Sequence, residues 1–235
     1  MSVVPSLYEP WLSAWLPEPL RSEPEATCDR CPRCEAPRPD EVPFTLDTKC
    51  CGYQPKLPNY LAGAVLRDGG PGAETLRARI DAKVSVTPLA VGVPPAYAAA
   101  WDHVHRTTGF GSDPSLACPH LHAGSCRIWA HRDAVCSTWF CRFEDGEPGR
   151  ARWLAVRALL QALETDLSRW AAVELGLDPS RRPMSWGPYR DDRAALYVAA
   201  AERVEGLEAG DVRRIGGFGL RVRIREAKAS YSGPS

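Results

Sequence analysis

Residues 150–175, RARWLAVRALLQALETDLSRWAAVEL, decide the fold class of this chain. Their apolar members Trp153, Val156, Leu160, Leu163, Leu167 and Trp170 advance by 3, 4, 3, 4 and 3 positions, the spacing that lines up side chains on one face of an α-helix. Arg152, Arg157, Glu164, Asp166 and Arg169 fall largely off that stripe. The pattern predicts a long amphipathic helix packed on the protein's own core. A coiled-coil seam would normally be sustained over about three or more heptads. A second helix is expected over 191–207, with alanines that let it lie close to the first. Beyond it, Leu220, Val222 and Ile224 alternate with Arg221, Arg223 and Arg225, which predicts a half-buried terminal strand.

Towards the N-terminus, 58–67 (PNYLAGAVLR) and 73–83 (AETLRARIDAK) read as short helices separated by the breaker run Asp68-Gly-Gly-Pro71-Gly. A brief extended piece is expected at 84–87, and Pro94-Pro95 opens a helix that runs to Thr108. Trp11, Leu12, Trp15 and Leu16 can share one face of a short helix in a packed N-terminal arm. The expected architecture is therefore α+β and mainly helical, in a single domain over 1–235. It comprises an arm (1–23), an irregular cysteine-rich metal-binding core (24–145) and a buttress of long C-terminal helices with the terminal strand (146–235).

The nine cysteines are confined to the middle part: Cys28-x2-Cys31-x2-Cys34, the adjacent pair Cys50-Cys51, then Cys118, Cys126, Cys136 and Cys141. Closely spaced thiolates are what zinc or an iron-sulfur cluster requires. A disulfide framework is the rival reading, but the count is odd, and 1–20 has no basic leader and is broken by prolines, so neither a signal-peptide core nor a membrane span is expected there. That favours a cytoplasmic protein with metal-binding thiols. At 235 residues the chain can bury a core without help from metal. Residues 23–43, rich in Pro, Arg, Asp and Glu, are different: with so little apolar surface, ligation is expected to order them. Lys plus Arg equals Asp plus Glu at 29 each, so no global field draws the protein to nucleic acid or to an anionic membrane, and neither partner is expected.

The later cysteines stand in Cys118-Pro-His-Leu-x4-Cys126-Arg-Ile-Trp-Ala-His-Arg132-x3-Cys136-x2-Trp139-Phe140-Cys141. This resembles the zinc/iron-chelating family typified by YkgJ, in which a CC pair is followed by C-P-x-L, C-x-I-Y/W, R-P-x-x-C and a final aromatic and Cys. Cys31-x2-Cys34 and Cys50-Cys51 look like that family's opening element. The chain departs from it with Asp133 after the motif arginine, with no proline before Cys141, with the additional Cys28, and with 15 residues between Cys34 and Cys50. The resemblance implies a cysteine array that chelates zinc or iron; a related array accompanies an iron-sulfur cluster in flagellin lysine methylases.

Spacing alone leaves the metal open. Cys31-x2-Cys34 is a plausible zinc knuckle without a second of its kind, whereas Cys28-x2-Cys31-x2-Cys34 matches the first three positions of a bacterial ferredoxin run. Adjacent side chains diverge, so Cys50 and Cys51 suit different irons better than one tetrahedral ion. The leading expectation is a [4Fe-4S] iron-sulfur cluster with a redox, electron-transfer or accessory role. A structural zinc interaction module, or a metalloenzyme with an open iron position, are the alternatives. All nine cysteines are candidate ligands, and Arg132 is the candidate for hydrogen-bonding or offsetting the sulfurs. A protein redox partner or a partner enzyme would fit such a role.

Trp129, Trp139 and Phe140 are expected to form an apolar wall. His120 and His122 lie near enough to ligate but, with nine thiols available, stay outside the expected ligand set. His103 and His105 point to different helix faces, and His131 carries no assigned role. Gly216-Gly217-Phe218-Gly219 reads as a turn, and no phosphate loop, nucleophile elbow or radical-enzyme cysteine motif is present.

Overall fold

The apolar stripes become buried helices in a computed structural model of the chain, which describes residues 3–20, 23, 48, 51–109, 111–140, 143–181 and 183–231. The arm forms a 3-10 turn (Ser6–Tyr8) and α1 (Glu9–Trp15), burying Tyr8, Trp11, Leu12, Trp15 and Leu16. Strand β1 (Leu57–Pro58) leads into α2 (Asn59–Asp68) and α3 (Gly70–Asp81). Strands β2 (Val86–Thr87) and β3 (Ala90–Val91) complete a small antiparallel sheet of order β1-β3-β2, with Leu57 opposite Val91 and Val86 opposite Val91. Helix α4 (Pro95–Thr107) follows, then a hairpin of β4 (Leu121–His122) and β5 (Ser125–Cys126) and the short α5 (Ala134–Thr138). The chain closes with α6 (Gly146–Glu174), α7 (Arg193–Glu205), α8 (Ala209–Ile215) and α9 (Gly217–Ala229).

Helix α6 carries the main core. Trp153, Val156, Leu159, Leu160, Leu163, Leu167 and Ala171 are buried on it, and they meet the arm, Tyr60 and Leu61 of α2, Ala200 and Val204 of α7, and Leu220, Ile224 and Ala227 of α9. Each large apolar side chain so buried contributes about 1.5–3 kcal/mol relative to exposure. A second cluster joins α2, α3 and β3 with Ile128 and Tyr197, and Cys126 packs against it. Helices α2 and α7 approach so closely that a Cβ on Gly63 would lie 1.8 Å from the Tyr197 carbonyl oxygen, which explains the glycine in a helix interior.

The long helix, the second helix and the arm helix agree with the sequence reading, and the fold is mainly helical α+β. Among the described residues no helix is long and apolar enough to cross a membrane. The expected terminal strand is wrong: residues 220–224 lie inside α9. Leu220, Ile224 and Ala227 are buried at i, i+4 and i+7, a helical set that the alternation of Leu, Arg, Val and Ile concealed. The breaker run also ends sooner than read. Gly69 and Gly70 turn the chain at φ 76° and 70°, and α3 then begins with Pro71 in its first turn, where the missing N–H has no helical partner to lose. Most of the stretch expected to depend on ligation, together with Cys28, Cys31, Cys34, Cys50 and Cys141, lies outside the described residues.

Glu164, expected off the α6 stripe, is buried within it. Its Oε1 accepts from the Ala134 N–H at 2.6 Å and from the Tyr8 hydroxyl at 3.3 Å, and Tyr8 and Tyr60 hydroxyls lie 2.8 Å apart. Burial first, then the charge of Asp133, raises its pKa well above the ordinary carboxyl range, opposed by these hydrogen bonds.

Two outcomes test this packing. Leu220→Ala should cost about 2–5 kcal/mol in urea denaturation and Val222→Ala clearly less, whereas a strand would make the two comparable. The folded protein also holds the Glu164 proton more tightly than the unfolded chain does. Its contribution is therefore fully present below the unfolded carboxyl pKa and is lost as pH rises from there towards the raised folded value. Glu164→Gln should flatten that decline, while Glu164→Leu should cost about 1–3 kcal/mol for each partner it leaves unpaired.

Candidate metal centre

The C-P-H-L segment folds into a turn that presents a sulfur to an amide. Leu121 N–H donates to the Cys118 carbonyl at 2.9 Å, and the His120 N–H donates to the Cys118 thiol, lowering its pKa against the other influences on it. An amide aimed at a sulfur favours the thiolate, the form that binds metal. The hairpin then reverses through Ala123 and Gly124, at φ 46° and 74°, as a two-residue type I′ turn requires. Cys126 comes opposite Leu121, and the Arg127 N–H donates to the His120 carbonyl at 2.8 Å. Behind this strand, Gly72 of α3 comes so near that a Cβ there would meet the Arg127 carbonyl oxygen at 2.6 Å.

The other described cysteines are fixed from different directions. The Cys118 N–H donates to the Cys51 carbonyl at 2.7 Å, and the Cys51 N–H to the Thr48 carbonyl at 2.8 Å. Cys136 lies in α5, whose N-terminus is satisfied by two carboxyl groups: Asp133 Oδ1 accepts from the Cys136 N–H at 2.8 Å, and Glu164 takes the Ala134 N–H. Tyr97 of α4 bridges the loops, its hydroxyl standing 2.7 Å from the Gly52 carbonyl and 2.8 Å from that of Leu116.

These groups share one electrostatic neighbourhood. Burial pushes the Cys118 thiol up to about 12, with further contributions from Cys126 and Asp133, against the His120 amide and Arg79. Cys136 is raised well above its ordinary value by burial, then Asp133, Cys118 and Cys126. The Tyr97 hydroxyl is raised by burial and by Cys118, Cys136 and Cys51, and that of Tyr53 by burial, Asp133, Cys136 and Glu164. Asp133 is itself raised, mainly by burial. Acids gathered where each opposes the ionisation of the next form an environment in which a cation would reverse the balance. Metal binding at Cys118 or Cys136 would have to displace a proton.

His120 separates sharply from His122. His122 is exposed, whereas His120 is completely buried and neither Nδ1 nor Nε2 has a hydrogen-bond partner among the described residues. An unmet buried polar group costs about 1–3 kcal/mol. Burial, then the nearby Arg79 charge, lowers its pKa to about 4, so the imidazole is neutral at physiological pH. Nothing in the sequence distinguished the two histidines, because their difference arises from the turn between Cys118 and β4.

Arg132 braces the loop through main-chain carbonyls. Its guanidinium donates to Trp129 O at 3.1 Å, Cys136 O at 3.2 Å and Val3 O at 2.8 Å, and its Cζ stands 3.4 Å from the Trp129 ring centroid. Phe140 packs against Trp153, with centroids 4.6 Å apart, as the apolar wall anticipates; Trp139 is instead 41% exposed, beside Arg157. His131 bonds Asp68 at 2.6 Å, tying this loop to the end of α2, and His105 stacks on Trp101. Among the described residues, no group of three or more His, Cys, Asp and Glu side chains is arranged to hold a metal ion by itself. The donors present fit a metal in kind, as soft sulfurs and a neutral imidazole, but Cys28, Cys31, Cys34, Cys50 and Cys141 are not among them.

No protein-family model, curated protein or solved structure matches this chain. Tyr97→Phe should leave the helical core intact and loosen the Cys51 and Cys118 loops, at a cost of about 1 kcal/mol. Hydrogen exchange at the Cys118 and Arg127 amides should accelerate; unchanged exchange there would remove Tyr97 as the bridge.

Proposed function

We propose that this chain binds a metal centre through its cysteine array, and that the centre is an iron-sulfur cluster serving electron transfer, redox sensing or the support of a partner enzyme. The observation that carries the reading is that thiols far apart in sequence stand near enough to oppose ionisation of common neighbours: Cys118 and Cys126 raise the Cys136 thiol, and Cys118, Cys136 and Cys51 raise the Tyr97 hydroxyl. The resemblance to the YkgJ-type motif supplies Cys31, Cys34, Cys50 and Cys141 as further candidate ligands, and the ferredoxin-like spacing Cys28-x2-Cys31-x2-Cys34 adds Cys28. Nine thiols exceed what one tetrahedral ion can use, which favours a polynuclear centre or more than one site.

A bound cluster would supply one-electron chemistry. The residues of this chain would do the rest: the His120 amide would favour the Cys118 thiolate, Tyr97 would hold the Gly52 and Leu116 carbonyls together beside the sulfurs, and Arg132 would hold the Cys136 carbonyl in place. Cysteines kept reduced for ligation need a reducing compartment, and a cytoplasmic setting suits them. Structural zinc is the second reading, favoured by the amide-to-sulfur turn and by a buried neutral imidazole in the same segment.

Anaerobic purification with iron, sulfide and zinc analysis and a visible spectrum distinguishes these. A brown protein with acid-labile sulfide is expected. Colourless protein with stoichiometric zinc would replace the first reading by the second, and protein free of all three would end both. Cys126→Ser and Cys136→Ser should each lower metal content sharply, because a neutral hydroxyl replaces a thiolate poorly; full retention in both would remove them as ligands.

A further inference from the structure

We infer that His120 is a metal ligand, its imidazole joining the Cys118 sulfur at the centre proposed above. The inference rests on that proposal and adds to it a nitrogen donor that the cysteine motif does not call for.

Three observations lead to it. His120 is wholly buried, yet neither ring nitrogen has a hydrogen-bond partner among the described residues. The turn around it is held on both sides, since its own amide donates to the Cys118 sulfur, the Leu121 N–H to the Cys118 carbonyl at 2.9 Å, and the Arg127 N–H to its own carbonyl at 2.8 Å. That pairing fixes the backbone from which the ring projects. The nearest competing explanation, a histidine serving as an apolar filler, would leave two polar nitrogens buried for no gain in packing that a leucine could not supply. Coordination uses one nitrogen directly, and ligating histidines ordinarily bond through the other to a carbonyl, carboxylate or water. His122 is exposed and provides an internal control from the same hairpin.

The donor set then becomes mixed, sulfur with one imidazole. Replacing a thiolate by a neutral nitrogen makes the centre less negative, which for a redox centre raises the reduction potential and for zinc gives an ordinary Cys/His site.

The test uses the full chain loaded with Zn(II) alone and examined by zinc-edge X-ray absorption, where nitrogen at about 2.0–2.1 Å is resolved from sulfur at about 2.3 Å. Wild type should show both distances together with the outer-shell pattern of an imidazole. His120→Leu, which preserves apolar volume, should lose the nitrogen shell and weaken Zn(II) binding by more than about tenfold, His120→Cys should restore affinity with an all-sulfur shell, and His122→Ala should change nothing. The wild-type spectrum stands even if a variant fails to fold. A Zn(II) shell of sulfur alone, unchanged in His120→Leu, would overturn His120 as a ligand and leave the metal centre standing. Wild type that takes up no Zn(II) and carries no iron would overturn the metal centre itself, and His120 with it.

Discussion

The Glu164 carboxyl, buried on the core face of α6, accepts the Ala134 N–H at 2.6 Å and so ties the first turn of the Cys136 helix to the helix on which the core is built. Asp133 accepts the Cys136 N–H of the same turn, so two acids satisfy the start of α5 inside the protein. Removing water from these groups raises both carboxyl pKa values. The protein accepts that cost in exchange for a rigid seat under Cys136. From there the arm follows: Tyr8 reaches Glu164, and Arg132 reaches the Val3 carbonyl, so the N-terminal turn closes over the same junction.

The cysteine loops are held from three further sides. Gly72 allows α3 to touch the strand after Cys126, the β4-β5 hairpin sets Cys126 against the second apolar cluster, and Tyr97 spans the carbonyls of Gly52 and Leu116. These contacts are mostly main-chain hydrogen bonds and close approaches, with little apolar burial; α4 itself has no buried residue. The helices, by contrast, bury a continuous set of large side chains. Two parts of one chain thus rely on different physics. The helical part is stabilised by its own packing, and the cysteine loops gain order from the core beside them and, under the proposal made above, from metal.

Apolar periodicity makes α1 and α6 legible, breakers and helix-opening prolines make α2, α3 and α4 so, and the alanine-rich run does the same for α7. Alternation misled at α9 because Leu220 and Ile224 belong to the period-2 set and to the helical set alike; only Ala227, a small residue beyond the alternating run, distinguishes them. The short α8 went unforeseen, although its capping box of Glu208 and Asp211 was a usable signal. Glu164 could have been found at i+4 from Leu160 with Leu167 following, yet its charge argued for the outside. The cysteine pattern identified the kind of site, but tertiary detail supplied the rest. No spacing rule states that His120 would be buried without a partner among the described residues while His122 stays in solvent, nor that Tyr97 from a distant helix would bond the carbonyls of Gly52 and Leu116, next to Cys51 and near Cys118.

Amide hydrogen exchange with and without metal tests the division most directly. The full chain, as purified anaerobically and after oxidation with EDTA, would be compared residue by residue. Protection of the Cys51, Cys118 and Arg127 amides should fall on metal removal, while buried positions of α6 and α7 such as Leu163 and Ala200 keep theirs. Unchanged protection across 111–140, or a collapse of both parts together, would contradict a metal that orders the cysteine loops upon a helical core able to stand without it.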